Sequence, residues 1–115
     1  MNMLDDAVTQ DIYGDIHQDE QLARIENRQL VERLQPIEIN LYDNHNVHVA
    51  EHYRFQKSHK FQEGKRSIDM VARRKFIYQE MLFTHHVMQH RKIIQAEKMQ
   101  QMQQLAMMKG GAGGR

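Results

Sequence analysis

From Ser67 to Lys109 the chain contains neither proline nor glycine, and that uninterrupted stretch constrains the fold more than any other feature. The two residues that most readily end a helix are missing, so the segment is free to form one helix of roughly 60 Å. Ser67 is a suitable N-cap for it. Ile68, Val71, Tyr78, Leu82 and Ile93 make an imperfect apolar stripe, and Phe76, Ile77, Met81, Phe83, Val87 and Met88 widen it beyond what one neighbour covers. More than one packing partner is implied. The last third, KMQQMQQLAMMK, places Met99, Met102 and Ala106 on one side. Met99, Met102, Leu105, Met107 and Met108 are read as an adaptable partner-contact surface, in preference to a plain continuation of a surface helix, because they would otherwise form an uncovered apolar patch. The closing GGAGGR, residues 110–115, is expected to be disordered.

The remainder divides at its own breakers. Residues 1–14 read as an N-terminal arm or short helix, with Leu4, Val8 and Ile12 meeting Gly14. A first clear helix is expected over 15–34, started by Asp15, carried by Ile16, Ala23, Leu30 and Leu34, and stopped by Pro36. Ile37, Ile39 and Leu41 alternate with Glu38 and Asn40, which predicts a short extended segment near 37–42. A lone strand needs a neighbour to lie against or a sheet in another chain. A histidine-bearing helix follows Asp43-Asn44 and is expected to run to Gly64. The fold class is therefore all-α and elongated, with 15–63 holding helix, link and histidine helix and 64–109 the long helix.

Composition limits the functional classes. In 115 residues, 40% of them apolar, there is room for one small domain and no large self-contained core. Acidic and basic residues nearly cancel to a formal charge of +1, so the whole chain is no polycation seeking phosphate. The absence of cysteine removes disulfides, thiolate zinc sites and thiol catalysis. No apolar run approaches the roughly 20 residues that cross a bilayer, and the N-terminus has no basic-then-apolar signal pattern. No membrane role is expected.

His48, His52, Phe55 and His59 recur at i, i+4, i+7 and i+11, with His45 one turn earlier. On one helix they form a continuous stripe. Convergence of His45, His48 and His52 on an ion, completed by Glu51 or Asp43, is one reading. With no cysteine and no H-E-x-x-H, a polar seam packed around Phe55 is favoured, and no metal or cofactor is assigned. His85, His86 and His90 raise the same question more weakly, since only His86 and His90 share a face. Ser58 beside His59 lacks a nucleophile elbow or a glycine-rich loop, so catalysis is not expected. Lys57, Lys60, Lys65, Arg66, Arg73, Arg74, Lys75, Arg91 and Lys92 offer non-specific DNA contact. Interleaved acidic residues make a solvated face the simpler reading, and no helix-turn-helix or finger spacing appears.

The run LYDNHNVHVAEHYRFQKSHKF, with its acidic-histidine turn, H-x-x-x-H, aromatic and serine, resembles the C-terminal region of portal proteins from tailed double-stranded DNA phages. Upstream, DEQLARIENRQLVERLQPIEINLYDNH is similar to the portal pattern of a Gln/Ala-rich helix carrying a Glu-Asn pair, here Glu26 and Asn27. Downstream, the histidine-containing helix, Gln/Met extension and glycine tail look like a portal terminus. The likeness covers most of the chain from about residue 19. Portal proteins are several times longer, however, and their stem, wing and clip have no counterpart here, so a separately made portal-like protein or a split portal is expected.

The resemblance implies a virion structural protein, made in the host cytoplasm and placed at the portal vertex of the head, in a twelve-fold assembly through which the genome enters and leaves. Its partners would be further copies of itself and portal and head proteins, with non-specific contact to packaged DNA, and no small-molecule substrate. His45, His48, His52, Phe55 and His59 are the expected interface residues. A small helical metal-binding module and a DNA-associated internal capsid or scaffold protein are the alternatives.

Overall fold

A computed structural model describes residues 3–113, with side chains described for 16–109. Among the described residues four helices follow one another: α1 (Met3–Arg33), α2 (His45–Gln56), α3 (His59–Arg66) and α4 (Met70–Gly113). Among the described residues there is no strand. The chain is all-α and elongated, as the sequence predicts. Its radius of gyration is 19.4 Å, against the ~13 Å of a compact chain of this size.

α1 passes straight through Gly14, so the expected arm at 1–14 and the helix from 15 are one element. A single interior glycine costs a helix only about 1 kcal/mol and need not end it. The helix closes at Arg33, and Leu34 takes a left-handed turn with φ 54°, a C-terminal geometry usually given to glycine. The Leu34 side chain packs on the core, which offsets the backbone cost. Pro36 then keeps the chain extended. The segment after it pairs with no sheet: Ile37 packs against the core and its carbonyl accepts the His86 Nδ1–H at 2.8 Å. The neighbour that the extended stretch requires is α4 of the same chain.

The expected helix over 45–63 is broken at Lys57-Ser58. Ser58 adopts extended backbone angles and its hydroxyl accepts the Phe61 N–H, making it the N-cap of α3. The bend swings Phe61 against Phe55, Phe76 and Phe83, at ring-centroid distances of 5.4, 5.1 and 5.3 Å. Phe55 also stacks on Phe83 at 5.4 Å. These rings, with Leu30 and Leu82, form the apolar core. Gly64 lies within α3 rather than ending it, and is there for its size. A Cβ at that position would fall 2.9 Å from Phe76 Cβ, so the close approach of α3 to α4 has no room for alanine unless Phe76 shifts.

α4 starts two residues later than Ser67 as its N-cap would have it. Ser67 closes α3, its hydroxyl accepts the Asp69 N–H, and the Asp69 carboxylate accepts the Val71 N–H at 3.0 Å. The helix continues to Gly113. The last two residues of the tail expected to be disordered lie outside the described residues. No helix among the described residues is long and apolar enough to cross a membrane.

Candidate functional site: a buried histidine and carboxylate cluster

α1, α2 and α4 meet on a layer that is polar where a core is usually apolar. His48, His52, His86 and His90 are buried to 1% exposure or less, and Glu26, Asn27, Asp43 and His45 are also buried. α2 is held in register by both partners. Asn44 caps it by accepting the Val47 N–H, and its own N–H donates to Asp19 of α1 at 3.2 Å. Glu51 faces away from the cluster, towards Arg24 at 3.4 Å and Arg54 at 3.2 Å.

Four rings are tied down by their hydrogen bonds. His48 donates from both nitrogens, Nδ1–H to Glu26 Oε1 at 2.8 Å and Nε2–H to Asp19 Oδ1 at 3.0 Å, with Asp43 Oδ1 3.7 Å away. An imidazole donating twice is an imidazolium. Burial works against that charge, but the carboxylates of Glu26, Asp43 and Asp19 outweigh it and raise the His48 pKa above its ordinary value. His52 donates Nδ1–H to Asn27 Oδ1 at 2.6 Å and His86 donates Nδ1–H to the Ile37 carbonyl, which leaves the lone pair of each ring on Nε2. His90 meets His45 through Nδ1 at 2.8 Å and His86 through Nε2 at 3.3 Å.

The remaining charges follow from this packing. Burial pushes the Glu26 carboxyl up, yet its imidazole surroundings, the Nδ1–H of His48 first among them, outweigh burial and hold it far below the usual carboxylate range. Burial lowers His52, helped by the neighbouring His86 and His48. Burial also lowers His90, to about 3, with His86, His48, His52 and His45 adding to the effect. The cluster therefore contains one buried carboxylate–imidazolium pair and at least two neutral imidazoles.

The residues expected to act together are only partly together. His45, His48 and His52 enter the cluster, but they do not converge on one point as a tri-histidine site, because His48 spends both nitrogens on carboxylates. Phe55 belongs to the aromatic core beside it. His59, carried beyond the bend, is exposed with Glu63 3.9 Å away, and takes no part. The stripe is a seam between helices of one chain. Met99, Met102, Leu105, Met107 and Met108 are exposed along the end of α4.

His86 and His90, whose spacing alone marks them only weakly, are central, and so is Glu26. A signal for them exists in the sequence: two H-x-x-x-H pairs on separate helices, 48/52 and 86/90, together with a Glu-Asn pair on a third. Compared with protein-family models, curated proteins and solved structures, the chain matches none.

Proposed function

We propose that this chain is a non-enzymatic structural protein of a tailed-phage head, a portal-like component at the portal vertex that assembles copy against copy through α4. The observation that carries the assembly is the outward face of that helix. Ile77, Met81, Met88, Met99, Met102 and Ala106 are all exposed, and at 100° per residue they fall within about 60° of one another. The buried residues Phe83, His86 and His90 lie on the opposite side of the same helix. The free stripe is about 40 Å long, and none of the described residues covers it. A second copy supplies the matching surface, since a long methionine-rich stripe packs well against its own kind. The location at a portal vertex rests on the resemblance of residues 19–61 and 84–115 to portal C-termini.

The test is the mass of the untagged chain by light scattering, in EDTA. A discrete oligomer is expected, and Met81→Glu, Met88→Glu and Met99→Glu combined should give a monomer of unchanged helicity. A monomeric wild-type chain would overturn the assembly reading.

A DNA-associated role is favoured by one further observation. Lys57, Lys60, Lys65, Arg66, Arg73, Arg74 and Lys75 are all exposed around the α3–α4 corner, and only Glu63 and Asp69 intervene. Non-specific binding of duplex DNA at that corner should weaken at least tenfold between 50 and 200 mM salt, roughly the behaviour of several phosphate contacts. Binding insensitive to salt would remove DNA from the list of partners.

A further inference from the structure

Where Glu26 approaches His52 and His86, acceptors face acceptors. Nε2 of His52 and Nε2 of His86 each lie 3.5 Å from Glu26 Oε1. Both nitrogens carry lone pairs, because their Nδ1–H groups are committed to Asn27 and Ile37. His52 Nε2 is fully buried and has no hydrogen-bond partner. A buried polar atom left unmatched is costly, and a cation placed between these atoms would match the electron pairs that face one another.

We propose that Glu26, His52, His86 and His90 bind one divalent transition-metal ion of the Zn2+ class in tetrahedral coordination. One ligand atom from each lies within 4.8 Å of the others. Zinc bound at 2.0–2.1 Å in a tetrahedron separates its ligand atoms by about 3.3–3.4 Å. Three of the six ligand pairs are close to that spacing, 3.3 Å for His86 Nε2 to His90 Nε2 and 3.5 Å for each of the two nitrogen-to-Glu26 distances, and the other three lie within 4.8 Å. The outer shell is already built. Asn27 fixes His52, the Ile37 carbonyl fixes His86, His45 meets Nδ1 of His90, and His48 donates to the ligating carboxylate. Such partners orient metal-binding imidazoles and set the tautomer that presents the lone pair.

The adjoining group of Asp43, His48 and His90 is not a second site, because the His48 imidazolium has no lone pair to offer. Formal charge also balances, a divalent ion and the His48 imidazolium standing against the carboxylates of Asp19, Glu26 and Asp43. The ion would join α1, α2 and α4 at one point, supplying structure and not catalysis, since four protein ligands leave no open position.

The experiment is titration of the EDTA-stripped, untagged full chain with Co2+, followed by displacement with Zn2+. One equivalent per chain with the intense visible absorption of tetrahedral cobalt is expected, lost on adding Zn2+, together with a rise in melting temperature that grows with free metal. Asn27→Ala should weaken binding roughly 10–100-fold, His86→Leu should abolish it, and His59→Ala and His85→Ala should leave it unchanged. No stoichiometric binding by the wild-type chain, an octahedral spectrum, or equimolar binding retained by folded His86→Leu overturns the proposal. If His86→Leu does not fold, X-ray absorption on the wild-type zinc protein decides: four nitrogen and oxygen ligands at about 2.0–2.1 Å support the site, and a six-coordinate shell of longer distances overturns it.

Discussion

Acidifying the protein in EDTA from pH 7 to pH 4 is expected to unfold it, with stability falling below pH 6.5 by about 1.4 kcal/mol per pH unit for the one proton that His90 takes up on unfolding, and more steeply wherever His52 is still neutral in the fold. His52 and His90 have folded pKa values below the ordinary 6.5, His90 at about 3. The unfolded chain therefore binds their protons first. Their contribution is whole above pH 6.5 and is lost as pH falls towards the folded values. Glu26, also depressed, acts in the same direction from about pH 4.5 downward. His48 has the opposite sign. Its raised pKa gives stability that is present below 6.5 and fades as pH rises through the folded value. Between pH 6.5 and 4 it is protonated in both states and leaves the slope alone. Urea unfolding followed by circular dichroism at pH 7, 6, 5 and 4 measures this directly. A flat profile from pH 7 to 5 would show that the histidines are not buried as a neutral set.

Replacing Phe83 by alanine should cost about 3–5 kcal/mol, a large part of the stability of so small a domain. Phe83 is fully buried and is the ring on which the others depend, stacked on Phe55 and set against Phe61 and His52. It also separates the aromatic core from the polar layer, so the cavity would open towards the histidines. Met81, two residues earlier, points outwards, and Met81→Ala should change stability by less than about 0.5 kcal/mol. Thermal melts of the two variants distinguish a face that holds the fold from one that awaits a partner. Equal melting temperatures would contradict the assignment of inner and outer faces.

The long helices were legible because their information is local. An unbroken run without glycine or proline, and a stop at Pro36, can be read without knowing what lies nearby. The bend at Lys57-Ser58 was not legible in the same way. Serine is acceptable inside a helix or as a cap, and the choice here is made by Phe61 reaching Phe55, Phe76 and Phe83, which come from α2 and α4. Gly14 misled in the opposite sense, since a residue that weakens a helix does not have to end one. The histidine seam was half readable. Spacing placed His48 and His52 on one face, but their significance comes from Glu26, Asn27, His86 and His90, and no periodicity along α2 reveals residues on α1 and α4. His59 belongs to the stripe only if the helix is continuous, and the bend at Ser58 carries it away.

The connections that build the polar layer also differ in how far along the chain they reach. Those between α1 and the α2 region, from Glu26 and Asp19 to His48, Asn27 to His52 and Asp19 to Asn44, close loops of 22 to 29 residues. Those made by α4, from Gln79 to Val31, His86 to Ile37 and His90 to His45, close loops of 45 to 49. During synthesis from the N-terminus, all residues of the first set are present before the long helix has emerged, so a half-cluster of Glu26, His48 and His52 can form while still open to water. Closure by α4 is the step that dries it, so the order of translation makes the last helix the one that seals the protein's most polar interior.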